Sequence, residues 1–265
     1  MTTTSTSTDK AALRSPLGIL TATTATHGTG GDGDIALPRL PGFVESAFSP
    51  LAYEVAARCL TEYPGDGSRT AVALASLMGD TTTADLASRR VVSGKVHNPL
   101  LFMQATANSV LGHMSREFGI TGQMFSLSTL DDPVTELLAM ADLLLEDPEL
   151  DRVLVIGIEL GGSERLAAAY RELVGDGGRS VPDLPESAAL AAAVLLGRPG
   201  ADTPVTVTAA ETSPHADGAR HPGGVQGLFD LVAAHRRLPA EGGRLPVAPA
   251  FVLTADPHPP TNALP

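Results

Sequence analysis

The chain has 265 residues, enough for one large α/β domain or one domain with a smaller appendage. Its 18 basic residues against 30 acidic ones give a net charge of −12, which leaves no basic footprint for nucleic acid and disfavours an anionic membrane surface. The single cysteine, Cys59, excludes an intramolecular disulfide, and with no tryptophan the core has to be built from Ala, Leu and Val.

Residues 1–14 are rich in Thr and Ser and have no hydrophobic period, so a disordered N-terminal tail is expected. That tail has no apolar stretch behind its charges, and no apolar run approaches a membrane span; a cytoplasmic protein is the expectation. Gly18–Ala22 reads as a first strand, and residues 27–48 as a Gly/Pro-rich connection. Ser49 and Pro50 predict an N-cap with proline at the first helical position. The helix should run to about Tyr63, with Ala52, Val55, Cys59, Leu60 and Tyr63 on one face, and end at Pro64–Gly67.

Thr70–Leu77 predicts a buried strand and residues 83–90 a short helix. A stronger helix covers Met103–Phe118, with Met103, Ala107, Val110, Leu111, Met114 and Phe118 sharing a face and Gly119 as its C-terminal cap. A strand at Met124–Ser128 and a helix at Pro133–Asp147 follow, then a fully buried strand at Arg152–Leu160 and a helix at Glu164–Leu173. Ala188–Leu196 is apolar throughout and is read as a strand, because another short strand, Val205–Ala210, follows closely. Beyond Glu211 the chain is Pro/Gly-rich, with a helix at Gly227–Leu238 and a strand at Ala248–Ala255. Strands alternating with helices argue for an α/β domain whose sheet is largely parallel and covered on both faces.

Several motifs carry little chemistry. "GTGGDG" (Gly28–Gly33) matches the dinucleotide fingerprint, but that fingerprint needs a helix directly after its glycines. Here Pro38 and Pro41 oppose one, so a flexible loop is expected and no cofactor is assigned. The seven histidines include no pair at helical metal-ligand spacing, and no metal is assigned; His215 and His221, in a loop with Asp217, leave only a weak site open. Cys59 falls on an apolar helix face and reads as a buried, inert thiol, and His113 as a structural histidine.

The stretch "LSTLDDPVTELL" (Leu127–Leu138) turns from a strand into a helix, where α/β enzymes often mount a nucleophile. No Ser or Cys follows Thr129 there; Asp131 and Asp132 do. Asp132 precedes Pro133, which pushes its backbone to the extended region that a helix cap needs, so it is assigned as the cap. Asp131, stabilised as an anion by the helix start, is read as electrostatic, with direct catalysis as a weaker alternative.

The segment "NPLLFMQATANSVLGHMSREFGITGQMFSLST" (Asn98–Thr129) resembles the N-terminal half of β-ketoacyl synthases of the thiolase fold. Asn98, Phe102, Asn108, Gly112, His113, Gly119 and Gly122 fall where that pattern wants them, and "LLLEDPELDRVLVIGIE" and "PESAALAAAVLLG" resemble its next elements. The likeness covers about residues 15–210. It implies a thiolase-like half with a mostly parallel, mixed, five-stranded sheet, followed by a C-terminal extension, 211–265, with one helix and one strand.

In an active family member the strand ends in a Thr-Ala-Cys pattern, and the thiolate accepts the acyl chain. Thr129 and Leu130 take the first two positions here, and Asp131 stands at the cysteine's. A carboxylate is a far weaker acyl acceptor than a thiolate. The family's catalytic histidines belong to its C-terminal half, and "HGTG" at His27–Gly30 lies in the wrong half.

The resemblance therefore implies a catalytically inactive subunit similar to the chain-length factors of type II polyketide and aryl-polyene synthases. Its partner would be a full-length ketosynthase in a heterodimer or heterotetramer, with acyl carrier protein engaged indirectly. Leu101, Phe102, Met103, Thr106, Met124, Phe125, Ser126, Leu127 and Ser128 are the expected interface and tunnel residues. Two alternatives stay open: a non-catalytic homodimer that scaffolds acyl carrier protein, and an independent acyl-processing enzyme that uses Asp131.

Overall fold

The computed structural model describes residues 13–94, 100–128, 133–161, 168, 172, 188–200, 203–210, 225–247 and 250–255. Strands β1 (Leu17–His27), β2 (Thr70–Ala75), β3 (Met124–Leu127), β4 (Arg152–Leu160), β5 (Ala189–Gly197), β6 (Val205–Ala209), β7 (Gly243–Val247) and β8 (Phe251–Ala255) form one sheet. Its order is β3-β2-β4-β5-β1-β6-β8-β7. Helices α1 (Phe48–Glu62), α2 (Thr81–Val92), α3 (Leu100–Gln104), α4 (Ala107–Phe118), α5 (Pro133–Leu144) and α6 (Gln226–Glu241) accompany it.

The expected α/β class and two-sided cover hold, but the sheet has eight strands among the described residues where five were expected. Nor is it mostly parallel. Only the β2–β3 and β2–β4 pairings are parallel, and the other five are antiparallel. The alternation of strands with helices was the ground for expecting parallel strands, and the unbroken apolar runs of β4 and β5 report burial on both faces, whatever the direction of the neighbouring strand.

That burial is visible in the alternation of side chains. Val72 and Leu74 of β2 and Leu154, Ile156 and Ile158 of β4 face α1 and α4. Ala71, Ala73 and Ala75 of β2 and Val153 and Val155 of β4 face α5 and α6. The small residues Ala191 and Ala193 of β5 let α1 approach closely, and Cys59 Sγ lies 3.7 Å from the Ala193 carbonyl oxygen that accepts its hydrogen bond. Leu51, Val55 and Leu60 of α1 are buried in the same layer, each contributing about 1.5–3 kcal/mol.

Element ends differ from the sequence reading in instructive ways. Helix α1 begins at Phe48, so Pro50 lies within its first turn and Ser49 is not the cap. The N-cap is Ala47, which makes no side-chain cap bond; Ser46 Oγ, one residue before it, accepts from Phe48 N at 3.3 Å. The single helix expected over Met103–Phe118 is two, because Thr106 is extended (ψ 132°) and its hydroxyl donates to the Met103 carbonyl. Gly119 ends α4 in the left-handed conformation (φ 64°), as expected. Among its described residues the C-terminal stretch contributes one helix and two strands, not one: β8 pairs with β6, and β7 pairs with β8. Strand β7 escapes the sequence pattern because it carries Gly243 and Pro246, residues tolerated on an outer strand. Residues 1–12 of the expected tail, most of the helix at Glu164–Leu173, and His215, Asp217 and His221 lie outside the described residues, whereas Arg14, also assigned to that tail, is held by its N–H donating to Asp142 Oδ2 at 2.7 Å.

The 3-10 turn Gly67–Arg69 before β2 packs directly on the end of α4. A Cβ on Gly67 would lie 2.4 Å from the Gly119 carbonyl oxygen and 2.5 Å from that of Phe118. Both are backbone atoms that cannot swing away. Gly67→Ala is therefore expected to destabilise the protein by about 1–3 kcal/mol, read as a lower urea midpoint with unchanged slope.

Candidate functional site

The C-terminal ends of β2, β3 and β4 meet where the elbow begins. Ser76 follows β2, and its N–H donates to the Leu127 carbonyl of β3 at 3.1 Å. Ser128 Oγ donates to the Leu77 carbonyl at 2.7 Å. The two strand ends are thus tied by their own outgoing loops. Asp131 and Asp132 lie outside the described residues, and the chain is described again from Pro133 at the start of α5.

Beneath this junction lies Glu159, a residue that sequence reasoning missed. It is 6% exposed. Its carboxylate accepts from Leu77 N at 2.5 Å and from Ser76 Oγ at 3.3 Å. No Lys, Arg or His of the described residues pairs with it. Burial pushes its pKa up to about 8, and the two hydrogen bonds only partly offset that. The signal was present in the sequence: one carboxylate inside the apolar run "RVLVIGIEL", at a place where an ion is costly unless paired.

Strand β3 lies at the edge of the sheet, and all four of its side chains are half-buried. Phe125 and Leu127 pack on the α5 side and Met124 on the α4 side. Helix α4 leads directly into the start of β3, so its own first turn, with α3 ahead of it, lies toward the C-terminal ends of the strands. There the expected interface residues divide. Leu101 is 2% exposed and belongs to the core, whereas Phe102 (50%) and Met103 (63%) face outward and Thr106 is exposed. Val91 and Val92, at the end of α2, and Leu100 add further exposed apolar surface beside them.

The other singled-out residues have structural roles. His113 stacks edge-on against Tyr53 and Phe43, with ring centroids 5.4 and 6.3 Å away. Burial pushes the Cys59 thiol up to about 12, so it is no nucleophile near neutral pH. The glycine loop Gly28–Gly33 is organised by Asp34, which accepts from Thr26 Oγ1, Thr29 Oγ1 and Gly30 N at 2.7–2.8 Å. No helix follows these glycines. Among the described residues no cluster of His, Cys, Asp or Glu could hold a metal ion, and no helix is long and apolar enough to cross a membrane.

Comparison of the sequence with protein-family models and with curated proteins finds no match. Solved structures do match. One is a ketosynthase (ApeO) in complex with its chain length factor (ApeC) from Xenorhabdus doucetiae, at TM-score 0.55 and 16% identity, covering 83% of this chain and 83% of the matched one. Another is a β-ketoacyl synthase from Burkholderia phymatum STM815, at TM-score 0.52 and 16% identity, covering 86% of this chain and 72% of the other. At that level of identity the likeness speaks for the backbone, and this chain has the thiolase-like fold of the ketosynthases.

Proposed function

We propose that the chain is a non-catalytic subunit, similar to a chain-length factor, that pairs along β3 with an active ketosynthase and shapes the tunnel in which a polyketide or polyene chain grows. The observation that carries this reading is the contrast between the two edges of the sheet. Outer strand β7 is blunted by Arg244 and Pro246. Outer strand β3, "MFSL", has no charge and no proline. An open apolar edge is a site for pairing with another chain, and proteins that stay monomeric usually disable it.

Phe102 and Met103 lie exposed toward the same end of the sheet, where they would reach a partner's tunnel. Leu101, turned into the core, would support them from behind. Asp131 at the acceptor position leaves this chain without the family's nucleophile, so acyl transfer would fall to the partner. The likeness to a chain of a ketosynthase–chain length factor complex, with 83% of both chains covered, supports the pairing of such folds.

Co-expression with a candidate cysteine-containing ketosynthase is the test. The two chains are expected to co-elute from a sizing column as a 1:1 complex that neither forms alone. Separate elution would reject the reading, and a stable homodimer binding loaded acyl carrier protein would favour the scaffold alternative.

A further inference from the structure

At the end of the sheet opposite the elbow, the start of β4, the end of β5 and the loop after α1 line a half-open cavity of about 370 Å³. That is the size of a small-ligand site. Nothing in the proposed pairing uses it.

Arg152, the first residue of β4, lines this cavity and is 6% exposed. Its Nε donates to Thr70 Oγ1 at 2.8 Å and its Nη1 to the Tyr63 carbonyl at 2.6 Å. Its Nη2 has no acceptor among the described residues. Gly65 is what makes room for the group, since a Cβ there would lie 2.7 Å from the guanidinium carbon.

Arg198 lines the same cavity, and its guanidinium donates only to the carbonyls of Leu145, Asp147 and Leu150. Neither arginine has a carboxylate within 4.0 Å among the described residues. The two acidic residues of the wall are already engaged. Asp151 is held by Arg69 through two bonds of 2.6 and 2.7 Å, and Asp66 accepts from Ser68 N and Oγ.

A buried guanidinium without a counter-charge is costly, and its planar fork matches the oxygens of a phosphate or carboxylate. We propose that this cavity binds a small oxyanion, the phosphate or carboxylate head of a metabolite, with Arg152 Nη2 as its direct donor and Arg198 supplying a second positive charge.

The test is isothermal titration calorimetry on the full chain at constant ionic strength, with inorganic phosphate and succinate as probes. Saturable 1:1 binding of either supports the proposal, and the tighter of the two identifies the head group. Arg152→Gln should weaken it about tenfold or more, with circular dichroism confirming a folded protein. Asp66→Asn, which keeps the turn's acceptor but removes a neighbouring negative charge, should tighten it about two- to fivefold, and tests the site even if the arginine variant fails to fold. Absence of saturable binding by both probes overturns the proposal.

Discussion

Ser126→Pro is expected to abolish association with the proposed ketosynthase partner while leaving the isolated chain folded. The backbone groups of β3 alternate between β2 and the open edge. Val72 N donates to the Gln123 carbonyl and Ser76 N to the Leu127 carbonyl. In a parallel ladder this alternation directs the backbone of residues 123, 125 and 127 toward β2, and that of Met124 and Ser126 toward the open edge. Proline at 126 removes a donor that β2 does not use, and outer strands tolerate proline where the missing N–H faces outward.

The isolated variant should therefore melt within a few degrees of the wild type, whereas pairing with a partner strand loses a hydrogen bond and meets the ring. Affinity should fall by about a hundredfold or more, measured by sizing chromatography of the co-expressed pair and by titration of the purified chains. Phe125→Pro is the control. It removes a bond to β2 and should destabilise the chain itself. An unchanged complex with Ser126→Pro would show that β3 is not the seam.

Much of this arrangement was legible in the sequence, and the misses have physical causes. The runs at 70–75, 152–160 and 189–197 announced themselves as strands because helices cover both their faces, which leaves no polar alternation. Direction leaves no such trace, and the antiparallel return of β5 beside β4 was invisible. The break between α3 and α4 falls at Ala105 and Thr106, neither of which is a helix breaker; it is made by hydrogen bonds from Thr106 Oγ1 and Ser109 Oγ to the Met103 carbonyl. Ser49 and Pro50 looked like a helix start, yet the N-cap lies two residues earlier at Ala47, a shift within the usual uncertainty of helix ends. At the site, strand β3 could be named from pattern, whereas Phe102 and Met103 were expected at an interface from resemblance alone; the pattern had put Met103 on the apolar face of one long helix, and the break at Thr106 leaves it exposed. The inward turn of Leu101 could not be named, because a five-residue helix is too short to show a face. Charges at the two ends of β4, Arg152 and Glu159, were printed in an otherwise apolar run, and both mark places where burial has to be offset by specific partners.

Glu159→Gln is expected to make the protein more stable above neutral pH and to flatten its pH dependence. The folded-state pKa, about 8, is raised above the ordinary glutamate value of 4.5. Between those two values the folded chain keeps a proton that the unfolded chain has released. The wild type's stability contribution from this group is thus full below about pH 4.5, declines through the interval, and reaches its floor above about pH 8. The slope is at most about 1.4 kcal/mol per pH unit from one such group. Glutamine retains an oxygen that can accept from Leu77 N and carries no charge to desolvate, so the variant loses this slope. The difference between variant and wild type should widen from pH 5 to pH 8 and then level off, as measured by urea unfolding at each pH. Parallel profiles would mean that Glu159 is ionised in the folded protein, with a compensating charge close by. The location gives the result a functional edge. Glu159 accepts from Leu77 N, the Leu77 carbonyl accepts from Ser128 Oγ, and Ser76 N holds the end of β3. Charging Glu159 acts directly on the bonds that set the end of β3, so the variant's partner affinity should also respond less to pH than that of the wild type.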